Sequence, residues 1–143
     1  MIAVDTNVLV FADRAELPKH RQALAALREL AEGRDAWALP VFCIGEFIRV
    51  VSHPRIFEPP TPATDAVAQV SALLESPSVR LLSPGRRYWD ILAELIDDGG
   101  VAGNLVFDAQ IAAVCLEHGA RTLLTDDRDF ARFPKITVRR LPA

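Results

Sequence analysis

Histidine, cysteine and lysine are scarce in this chain, which has only three, two and two of them. Cys43 and Cys115 lie inside apolar, helix-patterned stretches, where a free cysteine behaves as a small hydrophobe, so no disulfide framework is expected. Cys115-x-x-His118 is the one Cys/His pair at close spacing, and alone it does not make a thiolate or imidazole metal site. His20, His53 and His118 show no local arrangement for a catalytic triad, and no serine stands in a nucleophile elbow. The glycines at 99, 100 and 103 match neither G-x-G-x-x-G nor the G-K-[ST] of a phosphate cradle. No apolar run approaches the roughly 18 to 20 residues of a membrane span. No basic stretch followed by an apolar one marks the N terminus for export. A soluble, cytoplasmic protein with no membrane association is expected, and 143 residues fit one domain.

Acidic residues are plentiful. Nineteen Asp and Glu outnumber sixteen Lys and Arg, for a net charge of −3. The balance reverses at the end of the chain: residues 121–143 hold Arg121, Arg128, Arg132, Lys135, Arg139 and Arg140 against three aspartates. A basic end can meet phosphates even on an acidic protein, although a solvated face is the simpler reading of any one charge run.

The pattern predicts alternating strands and helices. Ile2–Val4 reads as a buried strand that delivers Asp5, with a short helix over 7–14 and a longer one from Pro18 to Ala31 stopped by Gly33. A strand over 36–39 leads through Pro40 into a helix ending near Ser52. Four prolines make 53–64 an irregular loop. Thr64 or Asp65 can cap a helix over 66–75, followed by a strand over 79–82, a helix over 86–97 and a flexible connection over 98–104. Asn104 can cap a helix over 105–118 that Gly119 closes. A strand over 122–125, a turn over 128–133 and a strand over 136–138 complete the chain. Such alternation with short connections points to an α/β fold whose parallel sheet is covered on both faces.

Four carboxylate positions stand out. Asp5 ends a strand, where ligands sit in open parallel sheets. Glu46 has mostly apolar helical neighbours, Phe42, Cys43 and Val50, with Arg49 as an ion-pair partner at i+3. Buried there, it needs a pair, hydrogen bonds or a cation, and Gly45 allows close backbone approach beside it. Asp108 opens an apolar helix; it either serves the helix dipole or faces a cleft. Asp126, Asp127 and Asp129 follow another strand, and Asp129 can also simply cap the turn. If these acids converge, repulsion raises their pKa values unless a cation neutralises them. Oxygen donors without His or Cys suit Mg²⁺ or Mn²⁺.

Asp5-Thr6-Asn7, Gly45-Glu46-Phe47, Asp108-Ala109-Gln110-Ile111-Ala112-Ala113 and Thr125-Asp126-Asp127-Arg128-Asp129-Phe130, taken in order, resemble the four acidic motifs of PIN-domain ribonucleases. His53-Pro54-Arg55 and Arg132-Phe133 are similar to segments of the toxins of VapBC-type toxin–antitoxin modules. The resemblance implies a three-layer α/β/α PIN-like domain over 1–143 with a central, mostly parallel, twisted sheet. It also implies Mg²⁺-dependent endoribonuclease activity, an RNA substrate, a cognate antitoxin that covers the cleft, and a homodimer. It assigns catalysis and metal binding to Asp5, Glu46, Asp108 and Asp127, with Asp129 as a further ligand, and it gives Thr6 and Asn7 the role of orienting Asp5 or the waters of the metal.

Three rival readings belong beside this one. A phosphatase of the haloacid-dehalogenase type also starts with an aspartate after a strand, but it wants a second acid where Asn7 stands and a lysine near the site, and Lys19 and Lys135 are the only lysines. A free-standing RNA-processing nuclease would use the same residues. An inactive RNA- or antitoxin-binding module would keep the fold without turnover.

Overall fold

The computed structural model describes residues 1–143. The elements run β1 (Ile2–Val4), α1 (Thr6–Asp13), α2 (His20–Glu32), β2 (Trp37–Pro40), α3 (Val41–Val51), α4 (Ala63–Leu74), β3 (Val79–Leu82), α5 (Tyr88–Gly99), α6 (Leu105–Glu117), β4 (Thr122–Leu124), a 3-10 turn (Arg128–Arg132) and β5 (Thr137–Arg139). The five strands form one sheet in the order β3-β2-β1-β4-β5, and every pairing is parallel. The sheet is thus wholly parallel, where the motif resemblance implied only mostly so. The chain first lays strands on one side of β1 and then on the other, which makes the β1/β4 boundary the switch point at which ligands bind in such sheets.

Strand alternation assigns the two faces. Val4, Leu39 and Leu124 pack with α1 to α4, while Ala3, Ala38 and Leu123 pack with α5, α6 and the 3-10 turn. The second face is lined with small side chains, and so is its partner: Ala109, Ala112 and Ala113 of α6 are fully buried. Alanine against alanine lets the α6 backbone settle close to β1 and β2, which carries the start of α6 toward the end of β1. No helix is long and apolar enough to cross a membrane. Both cysteines are free and buried.

Several helix starts differ from the sequence expectation. α4 begins at Ala63 after Pro62, and neither Thr64 nor Asp65 caps it. Asn104 flanks α6 but makes no side-chain cap bond. The flexible connection is shorter than expected: α5 continues to Gly99, Gly100 takes the left-handed conformation with φ of 58°, and Val101 is buried, its N–H donating to Ile96 O. This is the usual closure of a helix by a left-handed glycine. Nothing packs within 4 Å of where a Gly45 Cβ would stand, so that glycine serves no close approach.

Candidate active site

Asp5 is the last residue before α1 and only 4% exposed. Its carboxylate is nevertheless well supplied with donors. Oδ1 accepts from Thr6 N at 2.7 Å, and Oδ2 accepts from Thr125 Oγ1 at 2.6 Å and Asn7 Nδ2 at 3.1 Å. Cys43 Sγ lies 3.6 Å from Oδ1. Asn7 also donates to Thr125 Oγ1 at 2.9 Å and accepts from Asp126 N at 3.2 Å, so it bridges the ends of β1 and β4.

A cleft of about 260 Å³ opens above Asp5, and Glu46, Asp108 and Asp127 line it together with Thr6 and Asn7. The four acids come from different places in the fold: Asp5 from the junction of β1 and α1, Glu46 from α3 on one layer, Asp108 from α6 on the other, and Asp127 from the loop after β4. Glu46 forms no ion pair, so the Arg49 pairing offered by helix spacing is not made. Oxygens of Asp108, Asp127 and Asp129 lie within 4.8 Å of one another. Asp127, not Asp129, caps the 3-10 turn, its carboxylate accepting from Asp129 N at 2.9 Å.

Burial and mutual repulsion set the electrostatics. Loss of water raises Asp5 to about 6 against the pull of the Thr125 and Thr6 hydrogen bonds, with Glu46 and Asp127 adding repulsion. Asp108 is raised to about 7, first by desolvation and then by Asp127, Asp5, Asp129 and Glu46. Asp126 turns away from this group: Lys19 lies 3.4 Å from Oδ2, Arg140 Nε 3.8 Å from Oδ1, and Leu141 N donates to Oδ1 at 3.1 Å.

The donor set fits a hard divalent cation. It is all oxygen, it concentrates negative charge that the protein itself does not neutralise, and Thr6 Oγ1, buried at the cleft, has no hydrogen-bond partner. An unpaired buried hydroxyl is costly unless a bound group or its water completes it.

Residues 2–136 match the family pattern of the PIN domain. The chain belongs to the PIN-domain family. Among PIN-domain proteins it is similar to ribonuclease VapC43 of Mycobacterium tuberculosis, 42% identical over 139 residues that span 97% of this chain and 94% of the relative. Ribonuclease VapC25 of the same organism is 35% identical over 142 residues, 99% of each chain. The PIN fold is also that of VapBC2 from Rickettsia felis, solved bound to a DNA fragment from its promoter, with a TM-score of 0.70 at 19% identity, covering 99% of this chain and 100% of that one.

One central residue of this PIN site escaped sequence reasoning. Thr125 was visible only as the first letter of the fourth motif. Its role depends on β4 lying beside β1, and no local pattern reports that adjacency.

Proposed function

We propose that this PIN-domain protein is a Mg²⁺-dependent endoribonuclease, able to use Mn²⁺, that acts in the cytoplasm as the toxin of a type II toxin–antitoxin pair. In this reading it is a single domain over 1–143, a homodimer, and silenced by a cognate antitoxin laid over the cleft. The observation that carries the reading is the meeting of Asp5, Glu46, Asp108 and Asp127 at one cleft on the switch point of the sheet. The names of VapC43 and VapC25, both ribonucleases, support the substrate class.

Asp5, Asp108 and Asp127 would hold the cation, with Asp129 as the outermost ligand. Bound there, the cation supplies Lewis-acid polarisation of a phosphate oxygen and eases deprotonation of the attacking water. Thr125, Asn7 and the Thr6 amide hold Asp5 in one orientation, as partners behind a metal ligand do. Glu46, with no cation of its own, is the group that positions the attacking water or accepts its proton.

Cleavage of total RNA, mapped by sequencing in Mg²⁺ and again with a chelator, tests this. Asp5→Asn and Asp108→Asn should each lower the rate more than about 100-fold, beyond what losing a partner of a ligand costs. A wild-type rate in either variant sinks the assignment. RNA binding with no metal-dependent cleavage by the native protein would identify the inactive module instead.

A further inference from the structure

A second concavity lies apart from the acidic cleft. A groove of about 1120 Å³ runs along one face of α2, from Ile2, Ala36 and Thr122 at the starts of the strands to Leu124 and Arg139 at the ends of β4 and β5. Its wall is built by α2 positions 21, 22, 25, 26, 29 and 30, a stretch about 14 Å long at 1.5 Å per residue. Ile2 and Ala25 supply apolar surface within it, and Leu124 and Leu141 lie almost wholly buried beneath.

Its rim is basic although the chain is acidic. Arg21, Arg34, Arg139 and Arg140 line it against only Glu29 and Asp35. Arg21, Arg34 and Arg139 are exposed and make neither an ion pair nor a side-chain hydrogen bond. The groove also reaches the edge of the sheet that carries the acids. There Asp126, held between Lys19 and Arg140, is the neighbour of Asp127 in the cleft.

We propose that the α2–β5 groove is a second RNA-binding segment, whose arginines hold the phosphate backbone of a single-stranded stretch beyond the acidic cleft. The inference rests on the ribonuclease reading for its ligand. The acidic cleft alone is smaller than the roughly 300–1,000 Å³ of ordinary ligand sites, so it engages only a small part of a polymer. A neighbouring groove with unpaired arginines supplies sequence-independent affinity by releasing counterions from phosphates. Arginine suits this role because its planar fork matches phosphate geometry.

The test is fluorescence anisotropy of a labelled, mixed-sequence single-stranded RNA in a chelator, over a series of salt concentrations. The native protein is compared with an Arg21→Glu/Arg139→Glu variant whose melting temperature is checked in parallel. The expected result is at least about a 10-fold weaker Kd and a salt dependence shallower by about 1.4, two single-strand phosphate contacts at about 0.7 each. An unchanged Kd and slope overturns the proposal. So does full RNA affinity in a variant that has lost binding to an acidic peptide, which would make the groove a protein-docking site. Should the variant fail to fold, photocrosslinking of the native protein to the same RNA decides. Adducts within 21–34 and 139–141 are expected, and adducts confined to the acidic cleft overturn the groove. Binding is read without metal, so the two readings fail separately. A native protein that binds through the groove but cuts nothing in Mg²⁺ refutes only the nuclease, and one that cuts while the variant binds normally refutes only the groove.

Discussion

Thr125 Oγ1 donates to Asp5 and accepts from Asn7 and, at 3.0 Å, from Asp127 N, so one hydroxyl ties together β1, α1 and the loop after β4. Thr125→Val keeps the shape and removes all three bonds. We expect it to destabilise the protein by about 1–3 kcal/mol by leaving buried polar groups unpaired, whereas Thr125→Ser stays near native; urea unfolding distinguishes them. The raised acids give a second prediction. Asp5 and Asp108 have folded values of about 6 and 7, above the ordinary 3.8, so protonation favours the folded state. Their stabilising contribution is complete below pH 3.8 and disappears as pH rises through 6 and 7. In metal-free protein, Asp108→Asn should therefore melt above native at pH 8, with the gap narrowing as pH falls through 7 and closing only near 3.8. Mg²⁺ at pH 8 should raise the native melting temperature more than that of the variant. Equal melting curves across this range would show that Asp108 carries no buried charge. Asp5 was legible in sequence because a strand ending in a carboxylate is a local pattern. That Asp126 serves the C-terminal segment and Asp127 the cleft was not legible, because Lys19 and Arg140 decide it from far along the chain.

Helices and strands were readable by type, and their boundaries failed where the cap comes from elsewhere. α5 starts at Tyr88 without a side-chain cap of its own. Instead Glu117, at the end of α6, accepts from Gly85 N at 2.7 Å and Arg87 N at 2.9 Å. A borrowed cap has no signature in the segment it caps, so the predicted start fell two residues early. Glu117→Ala should lower the midpoint of chemical denaturation, because Gly85 N and Arg87 N lose their acceptor; an unchanged midpoint would show that the borrowed cap adds no stability. The Pro-rich loop shows the same principle. Asp13 at the end of α1 accepts from Thr61 Oγ1 at 2.7 Å and from Gln69, while the Arg14 guanidinium sits 4.4 Å from the centre of the Phe57 ring. Prolines announced the absence of regular structure there, but not that α1 fastens it.

For the whole molecule, alternation of elements was enough to predict a layered parallel fold, because each strand and helix declares its buried face locally. The order of strands was not, since it depends on which edges of β1 are filled and when. β1 lies between β2 and β4, so the first half of the chain cannot complete its own sheet. Residues 1–104 alone would leave one edge of β1 unpaired and Ala3 and Ala38 without α6. We expect this fragment to lack a cooperative thermal transition by circular dichroism; a sharp transition would contradict the view that both halves form one core. The same placement of β1 governs timing. Asp5 is made 120 residues before its hydrogen-bond partner Thr125. At about 5–20 residues per second, translation separates them by roughly 6–24 s. Throughout that interval Asp5 stands without the hydroxyl that orients it, so the site is assembled only once β4 has been made.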